Sequence, residues 1–124
     1  MIDFSKGFIV KLKPTAPASV FSNYEPMLVN GEEIFAAFTA MRDSVVFTNK
    51  RIISCNVQGL SGKKRDYTSL PYSKVQAFSV ETAGLGDLDC EIDLWFSAVG
   101  KVRFEITGSF DIRAFNQILS SYVL

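Results

Sequence analysis

Apolar and polar residues alternate most clearly near the end of the chain. Cys90, Ile92, Leu94 and Phe96 interleave with Glu91, Asp93 and Trp95, and Val102, Phe104 and Ile106 interleave with Arg103, Glu105 and Thr107. A period of two sends successive side chains to opposite faces of an extended strand, so each segment has one face for a core and one for solvent. Earlier, Val45, Val46 and Phe47 lead through Thr48, Asn49, Lys50 and Arg51 into Ile52 and Ile53. These β-branched and aromatic residues favour strands, and Asn49 tolerates the positive φ that a two-residue hairpin needs. Strands are predicted at about 44–48, 51–57, 63–70, 74–82, 90–97 and 101–107, with breaks at 59–62, 84–86 and 98–100 that each carry glycine. Residues 33–41 form another apolar run, but Ala36, Ala37, Phe38, Thr39 and Ala40 suit a helix on propensity as well as a strand.

Two segments follow a different period. Val20, Phe21, Tyr24, Met27 and Leu28 recur at spacings of three and four after Pro14 and Pro17, which predicts a short helix within 16–29, weakened at its end by Pro26 and closed by a turn at Asn30 and Gly31. At the C-terminus Ile112, Phe115, Ile118, Leu119 and Tyr122 form one apolar stripe, with Ser109 as the expected cap and Asp111 in the first turn. An amphipathic helix after a run of strands plugs an open barrel end, so the stripe is expected to face the core.

Arg42 and Asp43, Phe47 to Arg51, Gln58 to Lys63, Pro71 and Tyr72, Ser79 to Gly84, and Asp87 to Trp95 occur together, in order, over roughly Gly31 to the C-terminus. In this the chain resembles the bacterial pleckstrin-homology (PH) domain family, whose members are mostly small, single-domain proteins. The resemblance implies strand for 33–41. It therefore implies a mainly β, PH-like barrel or sandwich of seven strands capped by a C-terminal α-helix, over residues 31–124, with 1–30 as an N-terminal extension holding the short helix. It also implies ring-like self-association, as several members show, and no particular activity.

The 124 residues suit one domain, and 48% hydrophobic residues with eleven Phe can fill a core. Thirteen basic and thirteen acidic residues cancel, so no global field draws the chain to nucleic acid or to an anionic membrane. Asp3, Lys6, Lys11 and Lys13 interrupt the apolar residues of the N-terminus before a secretory or spanning segment of roughly 20 residues could form. A cytoplasmic protein is expected. Cys55 and Cys90 lie in apolar, strand-like surroundings and read as buried thiols.

The chain has no histidine, which excludes Ser-His-Asp or Cys-His nucleophiles and His metal ligation, and an enzyme is not expected. Gly59 to Lys63 lacks the spacing of a phosphate loop and joins two strands, so it reads as a turn; no cofactor is expected. Asp87, Asp89, Glu91 and Asp93 would share one face of an extended segment, but an extended row does not converge on one ion, and the distal Glu of a Ca²⁺ loop is replaced by Ala98. Lys63, Lys64 and Arg65, with Lys50 and Arg51 nearby, form the basic cluster.

Three readings of these charges stand side by side. One is a pair of solvated faces. A second is a phospholipid headgroup site, disfavoured because the first strand-strand loop, 41–44, carries Arg42 alone. The third is contact between copies, since a basic patch at Lys63, Lys64 and Arg65 complements an acidic row at Asp87, Asp89, Glu91 and Asp93, and unlike patches on identical chains can close a ring. Trp95, outward by alternation, would anchor such an interface, and exposed strand edges would offer pairing to another chain. A homo-oligomeric interaction scaffold is the expected function, with room for an unknown protein partner.

Overall fold

The computed structural model describes residues 11–83 and 89–124. Its elements run β1 (Lys11–Thr15), α1 (Pro17–Tyr24), a 3₁₀ turn (Glu25–Met27), β2 (Ile34–Ala40), β3 (Asp43–Thr48), β4 (Arg51–Gln58), β5 (Lys64–Pro71), a 3₁₀ turn (Tyr72–Lys74), β6 (Val75–Glu81), β7 (Cys90–Phe96), β8 (Gly100–Ile106) and α2 (Ile112–Val123). The strands form one eight-stranded sheet in the order β5-β4-β3-β2-β1-β8-β7-β6. Meanders β2 to β5 and β6 to β8 are antiparallel throughout.

The seven expected strands are present, residues 34–40 among them as a strand, and an eighth precedes them. β1 joins the two meanders, antiparallel to β2 and parallel to β8. Three features hide it in the sequence: Lys11 and Lys13 flank its one buried apolar residue, Leu12, and Pro14 argues against a strand with neighbours on both sides. Pro14 is tolerated because pairing with β8 covers Lys11 and Leu12 alone, so at Pro14 the strand has β2 as its sole partner. The sequence division at residues 30 and 31 thus falls between two strands of one sheet.

Alternation holds on β8, where Val102, Phe104 and Ile106 are buried, but β3 and β4 are buried on both faces. Phe47 and Ile52 enter the main core, while Val46, Ile53 and Cys55 lie on the opposite face under Val20 and Tyr24 of α1. A strand covered on both sides reads as a continuous apolar run, which explains Val45-Val46-Phe47 and Ile52-Ile53. Both cysteines are buried free thiols.

α2 closes the main core with Ile112, Phe115 and Leu119. Phe115 sits edge-on to Phe47 with ring centroids 5.0 Å apart, inside a cluster that includes Phe38, Phe35 and Phe110. Ile118 and Tyr122 of the expected stripe are exposed, although the Tyr122 ring stacks on Tyr72. The cap is Asp111, whose Oδ1 accepts from the Ala114 N–H at 3.1 Å, instead of Ser109. The helix starts at Ile112, the first residue of its stripe and later than a cap at Ser109 would place it, after a turn at Gly108 with φ of 89°.

Candidate functional site

Lys63, Lys64 and Arg65 are all exposed where the β4–β5 hairpin enters β5. Gly59 and Gly62 adopt φ of 72° and 67°, which gives the hairpin the left-handed residues its turn requires. Arg42 in the β2–β3 turn donates from Nη1 to the Gly59 carbonyl at 2.8 Å, tying the two turns together. Met41 beside it, with φ of 51°, and Leu60 are fully exposed.

The rest of the expected basic cluster lies elsewhere. Arg51 pairs with Pro71 and Gln58 with Lys64, so Arg51 and Lys64 stand by opposite ends of β4, about 23 Å apart at a strand's rise per residue. Arg51 is also fully engaged. Its Nε and Nη2 donate to the two oxygens of buried Glu32, each at 2.9 Å, Nη2 also reaches the Met27 carbonyl at 2.7 Å, and Nη1 donates to Ser69 Oγ. Burial would raise the Glu32 carboxyl, but Arg51, the Thr48 hydroxyl and the Val29 N–H stabilise its anion and hold it down to about 2. This is a structural lock between the end of the α1 segment and the β3–β4 hairpin.

Of the acidic row, Asp87 lies outside the described residues, Asp89 precedes β7, and Glu91, Asp93 and Trp95 share its outward face. Asp93 is buried because Arg103, opposite it on β8, grips it with Nε and Nη2 at 2.9 and 3.0 Å. Those bonds raise the Arg103 guanidinium above its usual value. The row is therefore weaker at Asp93 than the sequence suggests, but it gains members across the sheet. Register places Glu81 beside Glu91, Glu91 beside Glu105, and Glu105 beside Lys11, giving three carboxylates in line across β6, β7 and β8. With Asp89 they surround a hollow of about 330 Å³. Desolvation raises the Glu91 carboxyl, Arg103 opposes the rise, and Glu81 and Glu105 add to it. Glu81, Glu105 and Lys11 carry no signal in the linear sequence, since only strand pairing aligns them.

Trp95 is 36% exposed, between Ala77 and Lys101 on neighbouring strands. The basic and acidic patches form no ion pair with each other among the described residues. β5 is one edge of the sheet and β7 the strand next to the other edge, and among the described residues no ion pair links Lys63, Lys64 or Arg65 to Glu91 or Asp93. Among those residues, too, no group of His, Cys, Asp or Glu is arranged to hold a metal ion, and no helix is long and apolar enough to cross a membrane.

A family model described as bacterial PH domain matches residues 3–123. The uncharacterized protein YjqA of Bacillus subtilis (strain 168) is 42% identical over 94 residues, covering 76% of this chain and 75% of that protein. The fold is similar to the crystal structure of a DUF1696 family protein with a pleckstrin-homology domain from Shewanella loihica PV-4, at a TM-score of 0.77 and 31% identity over 93% of this chain and 99% of the other. A pleckstrin homology domain from Shewanella amazonensis SB2B matches at a TM-score of 0.63 and 32% identity, over 98% of this chain and 97% of its own.

Proposed function

The chain belongs to the bacterial PH domain family, and from that premise we propose that it is a non-enzymatic, cytoplasmic scaffold that self-associates head to tail into a ring-like homo-oligomer. The observation that carries this reading is the separation of unlike charges. The exposed cations Lys63, Lys64 and Arg65 lie where the hairpin enters edge strand β5, and the line Glu81, Glu91 and Glu105 runs across β6, β7 and β8. Patches that form no ion pair with each other within one copy can do so between copies, and a contact between unlike surfaces propagates until rotation closes it. Trp95, on the same outward face of β7 as Glu91, supplies the kind of amphipathic aromatic that anchors interfaces.

Light scattering at low salt is expected to give a multiple of the 13.8 kDa chain mass. Lys63→Glu with Lys64→Glu, or Glu81→Lys with Glu91→Lys, should each release monomers, and a mixture of the two double variants should re-associate through the restored pair of opposite patches. A wild-type protein monomeric at all concentrations would sink the proposal.

One observation favours a second reading, docking to an anionic membrane. Fully exposed Met41 and Leu60 project from adjoining turns beside Lys63 and Lys64, an apolar tip with a basic rim. Co-sedimentation with phosphatidylserine vesicles should then fall when Lys63, Lys64 and Arg65 become Ala. Binding that survives those changes discards this reading.

A further inference from the structure

The two ends of the sheet leave a gap in the barrel wall. β5 is a terminal strand of the sheet, and after Pro71 the chain turns through Tyr72–Lys74 to begin β6 at the opposite end. Among the described residues the stretch from Thr68 to Pro71 therefore has β4 on one side and no strand on the other. Across from it stands the end of β7 with the turn into β8, residues 96–99, and between them lies a cavity of about 300 Å³. Leu70 and Phe96, each only 5% exposed, form the floor together with Val99, which packs against the main core.

The polar groups around the mouth are few. Thr68 Oγ1 donates to Asp66, Ser69 Oγ accepts from Arg51, and the Ser97 hydroxyl completes the polar lining. Lys74 is exposed at the rim, and among the described residues it is the single charged one lining the cavity, with no carboxylate beside it. Among the described residues no acidic side chain pairs with Lys74. The hollow lined by Glu81, Asp89, Glu91 and Glu105 has the opposite character. An apolar pocket with one cation at its mouth selects a ligand that is apolar at one end and singly anionic at the other. A diphosphate would ask for more than one cation, and a neutral hydrocarbon would leave the ammonium unused.

We infer that this cavity binds a free aliphatic monocarboxylate of medium chain length, with its tail on Leu70, Phe96 and Val99 and its carboxylate at Lys74. At about 30 Å³ per water-sized group the cavity holds roughly ten such groups, which sets the tail at about eight to ten carbons. The site uses none of the residues proposed to join one copy to the next, so it stands or falls independently of assembly.

The test is calorimetric titration of the full chain with a series from butanoate to dodecanoate. Affinity should rise about three- to fourfold per methylene, the increment that burying one CH₂ gives, and level off near decanoate. Lys74→Glu, a change at an exposed side chain, should weaken octanoate about tenfold while leaving octan-1-ol unchanged. Ala98→Trp, at the exposed mouth, should abolish binding while circular dichroism stays native. No heat with any acid, octan-1-ol binding as tightly as octanoate, or Lys74→Glu without effect would each overturn the inference. So would N-acetyl-leucine binding more tightly than octanoate, since that would mark the pocket as a receptor for a peptide's carboxyl end.

Discussion

Glu32 and Arg51 show how much a single residue's neighbours change its meaning. Read along the chain, Arg51 adds to a basic cluster; in the fold it spends its donors on Glu32, Met27 and Ser69. The two partners lie 19 positions apart in the sequence, and no local pattern announces such a pair. The lock has a pH signature. The folded-state carboxyl of Glu32 sits at about 2 against an ordinary value of 4.5, so its contribution is full above the unfolded value and is lost as pH falls through the interval down to 2. At 1.36 kcal/mol per pKa unit this amounts to about 3 kcal/mol. Urea unfolding at pH 7 and pH 3 should show the wild type losing more stability on acidification than Glu32→Gln, which is expected to cost about 3 kcal/mol at neutral pH. Equal acid sensitivity in the two proteins would contradict this account.

At the scale of elements, most strands were legible because β-branched and aromatic residues at a period of two have few other solutions. Ile112, Phe115 and Leu119 likewise fixed the last helix and its buried face. Two features were misread where the determining contact is not periodic. Ser109 and Asp111 are both capping residue types, and only the hydrogen bond from the Ala114 N–H to Asp111 decides between them. Asp111→Ala should therefore cost about 1 kcal/mol in thermal or urea unfolding, while Ser109→Ala should stay within about 0.5 kcal/mol; the reverse ranking would relocate the helix start. β1 was missed because its one buried apolar residue, Leu12, is too little signal. Its identity as a strand comes from two neighbours that the sequence places far away.

For the whole molecule, that missed strand has the largest consequence. Among the described strands β1 is the sole link in the sheet between the β2–β5 and β6–β8 meanders, and Leu12 is buried in the main core. A chain beginning at Gly31 is expected to lose cooperative unfolding and dispersed amide resonances, whereas the full chain keeps both; a folded, cooperative shortened chain would show that the two meanders hold together unaided. The candidate surfaces divide in the same way. The basic edge at Lys63, Lys64 and Arg65 was readable because it is contiguous. The acidic line was readable only along β7, since Glu81 and Glu105 join it through register, and Asp93 leaves it through Arg103. The sequence by itself determined the strands, the terminal helix, the buried thiols and the neutral charge, because periodicity and composition act through near neighbours. Only the tertiary structure decided the eighth strand, the Glu32–Arg51 lock, the carboxylate line and the gap beside Lys74, because each exists where segments distant in the chain are brought side by side.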